Sequence, residues 1–186
     1  MYTPSEDTFF IADIISGFFG NYALEIGAGT GYLTKILCKN YRIVIATDID
    51  FNAIKHAKSS LDGFRNKTLL CCDVSYPVRF RFDLIISNPP YLPQDKEDLF
   101  DNAIYGGITG LETTFKILNL AKSSLKDKGK IVIVKSSLTR DEEFGKFIKQ
   151  NFLTAKIIAK KKLFFETLEI IEISKHIPKK EKNLFS

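Results

Sequence analysis

A chain of 186 residues with 45% hydrophobic and 26% charged side chains has the makeup of a compact globular domain. It is long enough to bury a large core and too short for two full α/β domains. No apolar run reaches the roughly 18 residues that a membrane span needs, which argues against a transmembrane role. The opening Met1-Tyr2-Thr3-Pro4-Ser5-Glu6-Asp7 lacks the basic start and apolar stretch of a secretory signal, so a cytoplasmic protein is expected. The net charge of +5 is uneven, because residues 151 to 186 hold eight lysines against four glutamates. A single domain over residues 1–176, followed by a basic tail over 177–186, is the expected organisation. Such a tail can touch RNA or an acidic partner, but short lysine clusters are most often solvated ends.

In chain order, Ser5, Asp7 and Thr8 precede Phe9, Phe10, Ile11, Ile14 and Ile15, a pattern that predicts a capped helix before any strand. Short β-branched runs ending in polar or glycine-rich turns then predict buried parallel strands at Ala23 to Ile26, Arg42 to Asp48, Thr68 to Cys72, Phe82 to Ser87 and Lys130 to Lys135. Between them Tyr32 to Cys38, Phe51 to Ser60 and Gly110 to Leu125 place apolar residues three and four apart, as crossover helices do. Asp141 to Asn151 reads as a last helix, and Ala155 to Ala159 with Leu168 to Ser174 as two strands of an antiparallel edge. The class is α/β: a doubly wound, seven-stranded, mostly parallel sheet with an antiparallel C-terminal strand.

Three cysteines, Cys38, Cys71 and Cys72, form neither a disulfide framework nor a Cys-x-x-Cys knuckle, and His56 and His176 stand apart from any carboxylate cluster. No metal site is expected. The run Leu24-Glu25-Ile26-Gly27-Ala28-Gly29-Thr30-Gly31-Tyr32 comes after a strand and opens a helix, the place where an α/β sheet binds a nucleotide. Its spacing is G-x-G-x-G, with Tyr32 where a dinucleotide fingerprint has its third glycine, so the NAD reading weakens. Glu25, just ahead of the loop, can accept a cationic or hydroxyl donor. Asp48 closes the second strand where an acid accepts from ribose hydroxyls, with Asp50 a near competitor. Asp73, in Cys72-Asp73-Val74, closes the third where an acid accepts from an adenine amino group.

Ser87-Asn88-Pro89-Pro90-Tyr91 comes directly after the apolar strand Phe82 to Ile86, and its two prolines stop the strand and stiffen the chain beyond it. An NH2 group donates two hydrogen bonds, which the Asn88 side-chain oxygen and the Pro89 carbonyl can accept, while Tyr91 offers a flat face for stacking. That arrangement suits presenting an amide-type nitrogen to an electrophilic methyl group, a reaction that needs positioning more than a strong base.

Taken together these segments resemble the class I methyltransferases of the HemK-related kind, specifically the short archaeal and eukaryotic release-factor glutamine methyltransferases. The resemblance spans nearly the whole chain: Tyr2-Thr3-Pro4-Ser5-Glu6-Asp7-Thr8-Phe9, the loop from Leu24 to Gly31, Thr47-Asp48-Ile49, Asp73-Val74, Asn88 to Tyr91, Gly106-Gly107 with Gly110, and Glu166-Thr167-Leu168. It implies S-adenosylmethionine as cofactor, with S-adenosylhomocysteine as product. It also implies that Thr8, Glu25, Gly27, Gly29, Asp48, Asp73, Val74 and Asn88 hold that cofactor. Asn88, Pro89 and Tyr91 would be catalytic, and Asn88, Pro89, Pro90 and Tyr91 would bind the substrate.

The implied substrate is the glutamine of the Gly-Gly-Gln tip of a class I release factor. The implied partner is a small zinc-binding activator subunit in a heterodimer, with no nucleic acid required and no membrane. The absence of a preceding helical domain, which bacterial relatives carry, favours the archaeal or eukaryotic branch. Asp50 stands where the family has asparagine, which leaves the division of ribose contacts between Asp48 and Asp50 open. Adenine-N6 methylation of DNA or RNA, or lysine methylation of protein, shares the same chemistry. The segment Pro93 to Asp101 is placed to form a lid, or else a solvated loop.

Overall fold

The computed structural model describes residues 3–74, 80–93 and 105–176. The opening helix α1 spans Glu6–Ile15 and is followed by β1 (Gly20–Ile26), α2 (Tyr32–Asn40), β2 (Tyr41–Asp48), α3 (Phe51–Ser60), β3 (Lys67–Cys71) and β4 (Phe82–Ser87). Beyond these lie α4 (Glu112–Ala121), β5 (Leu125–Ser136), α5 (Asp141–Gln150), β6 (Leu153–Lys162) and β7 (Thr167–Lys175). The strands form a seven-stranded sheet in the order β3-β2-β1-β4-β5-β7-β6. Strands β1 to β5 pair in parallel, and β7 pairs antiparallel with both β5 and β6. The expected antiparallel pair therefore closes one edge of the sheet, with β6 outermost and the last strand between β5 and β6.

Period-two alternation along each strand builds two cores. Ala23, Val44, Leu84, Ile86, Val132 and Val134 meet Ile11 and Ile15 of α1 and Leu33 and Leu37 of α2. Leu24, Ile45, Ile85, Ile131 and Ile133 meet Ile117 and Leu118 of α4 and Phe144 and Ile148 of α5 on the other face. Between α4 and α5 the rings of Phe115 and Phe147 stack at 4.4 Å, a contact worth about 1 kcal/mol beyond burial. No helix among the described residues is long and apolar enough to cross a membrane.

Two of the boundaries that differ from the sequence expectation do so for clear physical reasons. The helix expected to run to Leu125 stops at Ala121, a single 3-10 turn covers Lys122–Ser124, and Leu125 already pairs with Phe82 as the first residue of β5. Leu125 lies seven residues after Leu118, so it continues the helical stripe although it belongs to the sheet. Strand β6 runs well beyond Ala159 to Lys162, where its lysines occupy a sheet edge that tolerates charge. At the carboxyl end of β5, Lys135 is only 3% exposed, with its ammonium 2.7 Å from Asp141 and 3.3 Å from Glu169. Glu169 takes a second cation, Lys160, at 2.7 Å.

Candidate active site

The carboxyl ends of β1, β2, β3 and β4 open onto a cavity of about 690 Å³, a size suited to a small-molecule ligand. Gly27 and Gly29, the acids Asp48, Asp50 and Asp73, Val74, and all four residues Asn88, Pro89, Pro90 and Tyr91 line it. Asp7 of α1, Tyr105, and Thr113, Lys116 and Ile117 of α4 complete the wall. The strand-end acids singled out in the sequence converge because each closes a parallel strand at the same edge of the sheet.

The floor is fixed by the backbone. Gly27 and Ala28 donate their N–H groups to the Thr47 carbonyl at 2.8 and 2.9 Å, which carries the chain from β1 across the end of β2. Gly27 makes that turn at φ +84, in the left-handed region that favours glycine. The next loop N–H, from Gly29, reaches the Asp48 carboxylate at 2.8 Å, and the other Asp48 oxygen accepts from the Asp50 N–H at 2.9 Å. Asp50 in turn caps α3 by accepting from the Asn52 N–H at 2.8 Å. Asp48 thus braces the glycine loop, while Asp50 braces the helix. Asp73 forms an ion pair with Lys116 at 2.5 Å, and Val74 beside it sits at φ +54. For a β-branched residue that conformation costs on the order of 1–3 kcal/mol.

Glu25 and Thr8 depart from the sequence expectation, since neither is among the residues lining the cavity. Glu25 shares a strand face with Ala23, which belongs to the core beneath α2, so its carboxyl is enclosed at 1% exposure and accepts a short hydrogen bond from the Thr34 hydroxyl. Burial pushes that carboxyl up from 4.5 to about 8; the Thr34 bond acts against the shift, and the nearby Asp48 charge adds to it. Thr8 is 5% exposed and stands behind Asn88.

Asn88 carries the most informative pattern of bonds. Its side-chain nitrogen donates to the Asp7 carboxylate at 3.0 Å and to the Thr8 hydroxyl at 3.3 Å. Its side-chain oxygen is buried and has no hydrogen-bond partner among the described residues. Natural structures rarely leave a buried acceptor empty, because its desolvation costs about 1–3 kcal/mol. The residue ahead of it is fixed as well, since the Ser87 hydroxyl donates to the Ile26 carbonyl at 2.7 Å and ties the end of β4 to β1.

The tetrapeptide rests on the segment Tyr105 to Gly110, whose glycines stand out in the sequence only by resemblance. Leu92 and Tyr105 form an isolated parallel bridge, and the Gly106 N–H donates to the Leu92 carbonyl at 3.0 Å. A Cβ on Gly110 would stand 2.3 Å from the Tyr91 carbonyl, so a side chain there would push the tetrapeptide out of place. Asp7 is a site residue that sequence reasoning misses. Its signal is present in the Ser-Glu-Asp-Thr run, but an acid in a first helical turn also satisfies the helix dipole and so explains itself locally. The expected lid lies outside the described residues from position 94 onward, as does the basic tail from position 177. Among the described residues no group of three or more His, Cys, Asp or Glu side chains converges as metal ligands do.

Residues 8–166 match the family model described as the methyltransferase small domain. This chain belongs to that family. A putative protein N5-glutamine methyltransferase of Methanocaldococcus jannaschii is 32% identical to this methyltransferase, over 92% of the chain and 90% of the relative. The eRF1 methyltransferase catalytic subunit mtq2 of Schizosaccharomyces pombe is 25% identical over 93% of the chain and 88% of its own length. Among solved structures, the E. cuniculi Mtq2-Trm112 complex, which methylates the eRF1 translation termination factor, contains a chain with the same fold at a TM-score of 0.75. The two share 24% identity over 94% of this chain and 98% of that one. The methyltransferase thus aligns nearly end to end with short archaeal and eukaryotic relatives.

Proposed function

We propose that this methyltransferase transfers a methyl group from S-adenosylmethionine to the side-chain nitrogen of the glutamine in the Gly-Gly-Gln tip of a class I release factor, giving S-adenosylhomocysteine. It would act as the catalytic subunit of a heterodimer with a small zinc-binding activator. The observation that carries this reading is the half-satisfied Asn88 amide: its nitrogen is anchored, and its buried oxygen lacks a donor among the described residues. An NH2 group seated in the cavity supplies that donor. The names of the two relatives that cover the chain nearly end to end support an amide substrate and, for one of them, a termination factor.

The donor set around the cavity fits the cofactor. Asp48 and Asp50 offer acceptor oxygens for a ribose, Asp73 for an exocyclic amine, and the glycine loop lets backbone approach a ligand closely. When bound there, S-adenosylmethionine supplies an electrophilic methyl on a sulfonium centre. The chain's own work is then orientation. Asn88 Oδ1 and the Pro89 carbonyl would accept the two N–H donors of the substrate amide, which aims its nitrogen. Tyr91 would stack on the amide plane, and the two prolines would keep the cradle free of competing backbone donors. The surplus proton leaves to water after transfer, so no basic side chain is needed at the reacting nitrogen.

The test is methyl transfer from labelled S-adenosylmethionine to a purified class I release factor, with its Gly-Gly-Gln glutamine intact or replaced, with and without the activator subunit, and with DNA and RNA alongside. Label that vanishes when the glutamine is replaced is the expected result. Label found only on nucleic acid would overturn the substrate assignment while keeping the cofactor.

A further inference from the structure

We infer that Asp7 is the positioning residue of the tetrapeptide: its carboxylate fixes which end of the Asn88 amide faces the reacting group. The inference rests on the proposed methyl transfer at Asn88 and adds to it a residue from the first helix, 81 positions away in the chain.

A primary amide is nearly symmetric in shape and opposite in chemistry at its two ends. Turned one way, Asn88 offers the cavity an acceptor that suits an incoming NH2. Turned the other way, it offers a donor that opposes one. Packing alone distinguishes the two orientations poorly, so the choice has to come from hydrogen-bond partners. A carboxylate only accepts. Asp7 lies with one oxygen 3.0 Å from the Asn88 nitrogen, and the flipped amide would bring two oxygens face to face at that distance.

The Asp7 side chain is itself immobilised. It is 6% exposed, and its second oxygen accepts from the Ser5 hydroxyl at 2.7 Å and from the Thr8 backbone N–H at 2.7 Å. Thr8 closes the arrangement, for its hydroxyl accepts from the Asn88 nitrogen at 3.3 Å and can donate to Asp7 at 3.5 Å. The first turn of α1 is therefore part of the catalytic constellation although it touches the substrate nowhere in the proposed scheme. The spacing Ser5-x-Asp7-Thr8 acquires a reason: a carboxylate, the hydroxyl that holds it and the hydroxyl that shares its load.

The experiment compares Asp7→Asn with Asp7→Ala in the full chain with its activator subunit. In Asp7→Asn the Thr8 N–H cannot reverse its role as donor, so the new carbonyl oxygen takes the site facing Thr8 and the new NH2 faces Asn88. Asn88 then turns its oxygen to that NH2 and its nitrogen to the cavity. Asp7→Ala leaves the Thr8 hydroxyl as the remaining anchor and only loosens the amide. The expected order is that Asp7→Asn lowers kcat by about a hundred-fold and Asp7→Ala by about ten-fold, with the Kd for S-adenosylmethionine within two-fold or so of wild type in both.

A second readout is independent of any substrate. The Asn88 side-chain NH2 signals in a 15N spectrum, assigned by their loss in Asn88→Ala, should be protected from exchange in the wild type and shift in Asp7→Asn. Unchanged kcat with unchanged Asn88 signals would overturn the inference. So would equal losses in both variants accompanied by a lowered Tm and lost cofactor binding, since Asp7 would then only hold α1 in place. If the wild type methylates no release factor, the glutamine reading fails, and the Asn88 signals still decide the role of Asp7.

Discussion

The ends of β4 and β5 lie in one sheet and both bury polar groups, yet they treat them oppositely. At the end of β5, Lys135 is enclosed between Asp141 and Glu169, and Glu169 is shared with Lys160, so charges of both signs are compensated. At the end of β4, Asn88 has its donors engaged, while its buried acceptor has no partner among the described residues. A closed network holds elements together and has nothing to offer a ligand. A buried group with one unmet valence is destabilising unless something arrives to meet it, which is the difference between a structural polar cluster and a reactive one.

The largest effect that can break this contrast comes from Asn88→Ala. Methyl transfer should fall by about a hundred-fold or more, while cofactor affinity stays within a few-fold and Tm falls modestly, because removing an unsatisfied acceptor partly offsets the donor withdrawn from the buried Asp7 carboxylate. Undiminished turnover would sink the assigned role. Lys135→Met should do the reverse: a loss of about 1 kcal/mol in urea unfolding, since Glu169 keeps Lys160 and Asp141 faces solvent, with turnover per folded molecule preserved. If Lys135→Met proved neutral, the network at β5 would be no more structural than the cleft.

Glu25 sharpens the contrast with a pH dependence. Its folded carboxyl titrates near 8 against 4.5 for a solvated one, so the folded state holds a proton that the unfolded chain releases between these values. The stability associated with the protonated form is therefore fully present below pH 4.5 and is lost as pH rises through about 8. Glu25→Gln should flatten the decline of Tm across that window and raise Tm at its alkaline end. A wild-type Tm independent of pH there would show that Glu25 titrates alike in both states. The smallest effect is expected for Lys116→Ala, since both members of the Asp73 ion pair are more than half exposed. Stability should change by less than about 0.5 kcal/mol, and calorimetry of cofactor binding would report whether the released Asp73 carboxylate binds more tightly.

The same division separates the features that the sequence discloses from those it hides. The strand ends are legible because parallel strands are continuous apolar runs, and the acids at Asp48 and Asp73 break those runs where the cavity begins. Asn-Pro-Pro-Tyr is legible because two prolines after a strand make little sense inside a sheet. The orientation of Glu25 is not, since one residue of register decides whether a side chain faces loop or core, and Thr34 is the partner that reveals it. Nor is the start of β5, because Leu125 satisfies helical and strand patterns alike. Asp7 is hidden for another reason: its meaning comes from Asn88, and no local pattern couples residues so far apart.

The threading of the final strand also has a consequence for how the two ends of the domain are held. Among the described residues strand β6 pairs with β7 alone, and β7 lies between β6 and β5. Strand β6 is therefore tied to the rest of the sheet through residues Thr167–Lys175, so that edge is complete only once the last strand is in place. Lys161 of β6 meets Glu6 of the opening helix at 3.4 Å, an exposed ion pair that links the edge strand to α1. The beginning and the end of the domain are thereby joined at one edge, where the strand made last closes the sheet beside the helix that carries Asp7.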